Sequence, residues 1–432
     1  MNQNNDFSPN NLYQQSGVEI YSNSDNKISI ASTGGSTAML LQNGSVIAWG
    51  GRRVPPEIAQ LRDIVNLSST RSAFAALRAN RSVVAWMGDN SNDGDYGGRV
   101  PYDIAQLQDI VSLSATFYAF AALRANRSVV AWGDIGYGGQ VPPDIAKLQD
   151  IVSISSTYSA FAALRADGSV VAWGNNDYYG ASQVPPEIAR LQDIISLSSV
   201  GNTFIARRAN FRLVTWGSHP MPPEIAGWQD IVSLSSTDNA FAALRADGSV
   251  VAWGYEGSGG QVPPEIAKLR DIVSISASNC SFAALRADRS VVIWGDKRWD
   301  GILPPQIAAL KDIVSLKAAT YAFAALRADR SVVSWGDNVG GGIRVPYEIA
   351  QLQDIVSLSA TSFAFAALRA NGSVVAWGRR SLNAQIPPGI ARLQDIVSLS
   401  ASGGSFSILR ANGERLAWDV GNDNTVHSEY DD

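Results

Sequence analysis

Short apolar runs recur along this chain in groups of three. In the copy from Ile231 to Gly254, IVSLSSTDNAFAALRADGSVVAWG, they are Ile231–Ser235, Ala240–Arg245 and Ser249–Trp253. Each run is too short for a helix and rich in β-branched and aromatic residues, so each predicts a strand. Asp247-Gly248, between the second and third runs, is a hairpin signal because the turn needs a positive φ that Gly adopts without steric cost. The same pattern is written ten times. Its closing Trp falls at Trp49, Trp86, Trp132, Trp173, Trp216, Trp253, Trp294, Trp335, Trp377 and Trp418. Most spacings are about 41 residues, in the range of one propeller blade.

The strands Phe-Ala-Ala-Leu and Val-Val-Ala-Trp are apolar on both faces, so each sheet must be covered on both sides, as in a stack of blades. Large residues paired with small ones let adjacent sheets interlock. The first strand, I-V-S-L-S-S, is rich in Ser and is expected innermost, lining a wet central channel. Connectors such as RVPPEIAQLRD and QVPPDIAKLQD join the copies. Their Pro residues fix an extended path; E-I-A-x-L then predicts one helical turn or a tight bend whose Ile and Leu pin it to the next blade. Nine connectors serve ten triplets, and Val18–Asn26 resembles the missing one, as a closing ring requires. The expected organisation is a flexible polar leader over 1–17, a repeat region over 18–418 and an acidic polar tail over 419–432.

The chain has 432 residues, 46% of them hydrophobic, and a net charge of −5. That is enough for a continuous core, and it argues against a nucleic-acid or anionic-membrane partner, which calls for a basic excess. No run approaches the roughly 20 apolar residues of a membrane span. The first residues lack the pattern of a classical signal peptide. A protein made in the cytoplasm is expected, with export by a route without such a signal left open.

Catalysis finds little support. His219 and His427 are the two histidines and Cys280 the one cysteine, so neither a metal site nor a Cys–His pair is expected, and no cofactor is implied. Cys280 reads as a buried small residue. The Gly-rich loops Gly257–Gly260 and Gly340–Gly342 lack the Gly-Lys-Ser or G-x-G-x-x-G of a phosphate cradle. Nine triplets carry Arg after the second strand (Arg78, Arg124, Arg165, Arg208, Arg245, Arg286, Arg327, Arg369, Arg410). Nine connectors end in Asp (Asp63, Asp109, Asp150, Asp193, Asp230, Asp271, Asp312, Asp354, Asp395). The pairing predicts Arg–Asp bridges that staple each connector to its blade; the alternative is independently solvated charges. The Trp row reads as core, with ten sugar-stacking platforms as the alternative. The fifth copy, Phe204–Gly217, departs most: Arg207 replaces Leu, and Phe211 replaces the turn Gly.

Two loops vary while the strands hardly change. The first joins strands one and two and presents Arg71, Phe117, Tyr118, Tyr158, Asn202, Asp238, Tyr321 and Phe363. The second follows the Trp and presents Tyr96, Tyr137, Tyr178, Tyr179, Tyr255 and Trp299. Loop aromatics on a rigid scaffold suit a protein interface; the alternative is that they plug gaps between blades.

The block D-G-S-V-V-A-W-G, followed by GYGGQ (Gly136–Gln140) and V-P, resembles the RCC1-like repeats. It is most similar to their short bacterial form, seen in a β-lactamase inhibitor family with a propeller of three-stranded blades. The resemblance spans about 27–418. It lacks the His that longer RCC1 repeats carry before the second strand, where Tyr118, Ser159 and Asn239 stand, and that family's familiar rings have seven blades. It implies an all-β propeller of about ten three-stranded RCC1-like blades, with an open or split array as the alternative. In that family aromatics of the first loop form much of a protein-binding face, and Phe117, Tyr118, Tyr158, Tyr321 and Phe363 match them. The expected function is a non-catalytic, monomeric scaffold of bacterial origin that binds a protein partner, as an inhibitor, effector or toxin-associated module. The alternatives are a multivalent lectin and an RCC1-type regulator of a small GTPase, although no insertion is long enough to be an obvious wedge.

Overall fold

The computed structural model describes residues 29–88, 96–175, 181–337, 344–378, 386–420 and 426–428. These residues are built from ten antiparallel sheets, nine of three strands and one of four. The chain is an all-β array of ten propeller blades, and it divides into two compact units at Gln229/Asp230, five blades to each. We number the blades by their sheets: 29–50, 64–87, 110–133, 151–174, 194–217, 231–254, 272–295, 313–336, 355–378 and 396–419.

Blade 6 shows the common plan. Its strands are Ile231–Ser236, Ala240–Arg245 and Val250–Gly254, so the third begins one residue later than the pattern suggested. The turn is closed by Arg245 N–H donating to the Ser249 carbonyl (2.9 Å) and by Ser249 N–H donating to Asp247 Oδ1 (2.9 Å). Gly248 sits at φ +75°, where an added Cβ would come within 2.4 Å of the Arg270 carbonyl. Phe241 faces Trp253 across the ladder with ring centroids 5.3 Å apart. The register shifts between Ile231 and Ser233. Val232 is therefore bulged out and left 46% exposed.

Alternation along the second strand explains how blades stack. In blade 2, Phe74 and Ala76 join Trp86 in a core with Ala38, Leu40 and Val46 of blade 1. The opposite face, Ala73, Ala75 and Leu77, packs on Phe120, Ala122 and Trp132 of blade 3. A large-residue face thus meets a small-residue face at each such junction, which fills the space without voids. The connectors complete these cores. Pro56–Ala59 is a single helical turn with Pro at its start, where the missing N–H costs nothing; Ile58 and Leu61 insert between blades 1 and 2. Within each unit the first strands of successive blades lie next to one another. Ser69 Oγ donates to the Ser32 carbonyl (2.9 Å) and Ser235 Oγ to that of Ile275 (3.1 Å). The innermost placement expected for the Ser-rich strand agrees with this contact.

In blade 10 a short strand, His427–Ser428, pairs with the outer strand Arg415–Asp419 and makes the four-stranded sheet. Part of the polar tail is thus folded onto the last blade. Among the described residues no helix is long and apolar enough to cross a membrane.

Candidate functional site

The first loop is a tight turn whose conformation is fixed by its leading Thr. Thr70, Thr116, Thr157, Thr237 and Thr361 are buried, and each accepts a hydrogen bond at Oγ1 from the N–H three residues on (2.9 to 3.1 Å). Three of these hydroxyls reach the post-Trp loop of their own blade: Thr70 donates to the Tyr96 carbonyl (3.3 Å), Thr116 to Tyr137 (2.9 Å) and Thr237 to Ser258 (3.1 Å). The two variable loops are thereby tied together. The repeated Thr was a visible signal of this, and sequence reasoning passed over it.

Main-chain hydrogen bonds also link first loops from blade to blade. In the N-terminal unit Gly34 N–H donates to the Arg71 carbonyl (2.6 Å), Arg71 to Phe117 (2.8 Å), Phe117 to Tyr158 (2.8 Å) and Tyr158 to Gly201 (3.3 Å). In the C-terminal unit the series runs Asp238 to Asn279 (2.9 Å), Asn279 to Thr320 (3.0 Å), Thr320 to Ser362 (3.1 Å) and Ser362 to Gly403 (2.8 Å). Five of the predicted partner-binding positions, Arg71, Phe117, Tyr158, Asp238 and Gly201's neighbour Asn202, lie on or beside this rail. The loops are braced, so displaying their side chains costs little ordering entropy.

On that rail the side chains of blades 2–4 form one continuous network. The Arg71 guanidinium lies over the Phe117 ring (5.3 Å to its centroid), and Phe117 packs on Tyr158 (4.9 Å). Beside this file, Tyr96 packs on Tyr118 (4.6 Å) and Tyr118 on Tyr137 edge-on (4.8 Å). Phe117 and Tyr118 join the two files (5.5 Å). The rings are half-buried and Arg71 is exposed. Burial, followed by the neighbouring phenol of Tyr118 and the Asp134 carboxylate, raises the Tyr137 pKa above the usual phenol value.

The other predicted positions divide. Tyr321 stacks on Trp299 (4.8 Å) in the C-terminal unit, and burial raises its pKa. Tyr255 is exposed, Asp238 is exposed and Phe363 is half-buried. Asn202 turns its side chain inward, with Oδ1 buried and without a hydrogen-bond partner among the described residues. Tyr178 and Tyr179 lie outside the described residues.

Several alternatives are decided by burial. Each of the ten Trp residues of the repeat is buried, so none is a platform for stacking a sugar. All nine Arg–Asp bridges form, at 2.7 to 3.0 Å, each tying a connector to the blade that follows it. Cys280 is buried with Sγ 3.4 Å from Asp300 Oδ1. Burial and that carboxylate push its thiol pKa up, the opposite of what a nucleophile needs. Asp300 is itself buried, which holds its carboxyl pKa above the ordinary range. His219 contacts Ser218 Oγ at 3.0 Å, and burial lowers its pKa.

The profile of the Regulator of chromosome condensation (RCC1) repeat matches residues 151–179, the span of blade 4 and the start of its following loop. No curated protein sequence matches the chain. Among solved structures, the CRINKLY WD40 ectodomain of the Arabidopsis thaliana receptor kinase ACR4 is 19% identical, covering 65% of this chain and 99% of that one at a TM-score of 0.37. Yeast RCC1 (Prp20), solved with Kap60, is 18% identical, covering 64% and 71% at 0.36. Human WBSCR16 is 17% identical, covering 59% and 85% at 0.38. The profile match thus covers one of the ten blades, and the match to the RCC1 repeat is to that blade.

Proposed function

We propose that the protein is a non-catalytic scaffold that captures a partner protein through the aromatic loops of blades 2–4. The observation that carries this is the network of Arg71, Tyr96, Phe117, Tyr118, Tyr137 and Tyr158, half-exposed and mounted on a main-chain rail. Large amphipathic rings with few rotatable bonds, held in place before binding, are what interface hot spots use. A bacterial inhibitor, effector or toxin-associated module is the role that suits such a surface; in the C-terminal unit Tyr255, Trp299, Tyr321 and Phe363 are that unit's own candidate contacts. The test is affinity capture from the native host and from its target organisms, comparing wild type with Phe117→Ala/Tyr118→Ala/Tyr158→Ala. Loss of one specific protein partner in the variant supports the reading. Unchanged capture, or retention of glycans alone, overturns it.

A further inference from the structure

Five of the turns between second and third strands hold a non-glycine residue in the left-handed region: Arg81, Arg127, Phe211, Arg289 and Arg330, at φ 63 to 67°. The other five hold Gly44, Gly168, Gly248, Gly372 and Gly413 at φ 75 to 88°. An L side chain is strained there. A Cβ built on Gly168 would also come within 2.5 Å of the Gln192 carbonyl of the adjacent connector. The strain-free solution therefore exists in half of the turns and is set aside in the rest. Strain kept at a surface position points to a side chain with work to do there.

Arg81 and Arg127 stand out among the five. They occupy neighbouring blades and are exposed. Their turns carry Asn80 and Asn126, where the turns of Arg289 and Arg330 carry Asp288 and Asp329. The nearby connector carboxylates Asp63, Asp109 and Asp150 are already bound by Arg78, Arg124 and Arg165. Neither guanidinium of the pair makes an ion pair among the described residues. Each arginine also holds the next blade: Ile110 N–H donates to the Arg81 carbonyl and Ile151 N–H to that of Arg127, both at 3.0 Å. This sets the arginines beside the bulged residues Val111 and Val152, which are 49% and 51% exposed. The outcome is two uncompensated cations next to two exposed apolar side chains, at the opposite end of the strands from the aromatic loops.

We propose that this hairpin end of blades 2–4 is a second docking surface, for an acidic and apolar segment of a partner protein. Its carboxylates would take the Arg81 and Arg127 forks, a pairing with both charge and geometric specificity, and its apolar side chains would cover Val111 and Val152. The charge on the surface selects carboxylates, and the exposed valines select an apolar neighbour for them.

The experiment uses the full chain and a fluorescein-labelled octapeptide of alternating aspartate and leucine, with its asparagine–leucine counterpart as the neutral control, read by fluorescence anisotropy. Wild type should bind the acidic peptide and not the neutral one. Arg81→Gly/Arg127→Gly should weaken binding at least tenfold while raising the melting temperature, so lost binding cannot be confused with lost folding. Arg81→Ala/Arg127→Ala keeps a strained backbone without the charge and should lose binding with no gain in melting temperature. Equal binding of the neutral peptide, or unchanged binding by the Gly variant, would overturn the proposal. So would Arg81/Arg127-dependent binding of phosphatidylserine vesicles when the acidic peptide fails to bind.

Discussion

The buried Trp row contains its own control. Trp132 and Trp335 are 1% and 2% exposed and stack on Phe120 and Phe323 with centroids 5.2 and 5.4 Å apart. They differ at the indole: Trp132 Nε1 donates to the Gly97 carbonyl at 3.0 Å, whereas Trp335 Nε1 has no partner among the described residues. The cause lies in the loop of the preceding blade. Gly97, Gly138 and Gly259 stand at corresponding positions with φ 89 to 92°, which aims their carbonyls at the next indole. A Cβ on any of the three would come within 2.7 Å of the next Phe ring. Ala181 holds the same position outside the left-handed region and still accepts from Trp216 Nε1 at 3.1 Å, so a left-handed Gly is one way of presenting this carbonyl. In blade 7 the position holds Asp300, and Trp335 Nε1 finds no partner among the described residues.

Replacing each Trp by Phe removes the same ring volume, worth about 1–3 kcal/mol of cavity and transfer cost in either blade. Trp132→Phe also gives up a hydrogen bond and leaves a buried carbonyl unpaired, about 1–3 kcal/mol more. Trp335→Phe instead removes a donor that was already buried without a partner, relieving a penalty of about 1 kcal/mol or more. The two variants should therefore differ by about 2–4 kcal/mol, with Trp132→Phe the less stable. A chain of ten blades need not unfold in one step, so the measurement is native-state hydrogen exchange on the second strands of blades 3 and 8. Equal loss of protection in the two blades would refute the reasoning, which rests on the indole hydrogen bond.

The Asp230–Arg245 bridge, with Arg245 Nη2 2.7 Å from Asp230 Oδ2 and both side chains partly exposed, should show a coupling of about 1 kcal/mol in a double-mutant cycle. Raising the salt concentration should weaken it, and zero coupling would return the two charges to solvent. Asp300 holds its proton more tightly folded than unfolded, so its contribution is full below the ordinary Asp range near pH 4 and fades as pH rises through the folded value. Asp300→Asn should flatten the fall in melting temperature above about pH 4; a profile identical to wild type would show that the carboxyl does not titrate with folding.

What was legible in the chain was whatever side chains repeat. The three strands, the Trp core, the connector turns and the Arg–Asp staples each need a fixed residue at a fixed place, and ten copies make such demands visible. Val232 and its counterparts repeat as well, but residue type does not show that they are exposed. An apolar residue in a strand reads as core, yet the bulge beside Ile231 rotates it to the surface, and a bulge leaves no mark in residue type. The rail joining Arg71, Phe117 and Tyr158 was hidden for a different reason: main-chain groups make it, and every residue but proline has them. Asn202 sits at the loop position the sequence indicates, and the burial of its Oδ1 is set by the packing of the divergent blade 5, which residue type does not reveal.

That invisibility bears on function. A rail built from side chains would restrict what its loops could display, since each position would be committed to bracing. Here the bracing falls to backbone N–H and carbonyl groups and, in six of the turns, to one buried Thr or Ser (Thr70, Thr116, Thr157, Thr237, Ser278, Thr361), leaving the next two residues free of that role. Thr-Phe-Tyr at Thr116–Tyr118, Thr-Tyr-Ser at Thr157–Ser159 and Ser-Asn-Cys at Ser278–Cys280 accordingly share one backbone course and one set of interblade hydrogen bonds. Display is separated from stability at these turns. The concentration of rings on blades 2–4 is then a property of the displayed residues themselves, because the C-terminal unit builds its own series of the same hydrogen bonds with Asp238 and Asn279 at the matching positions.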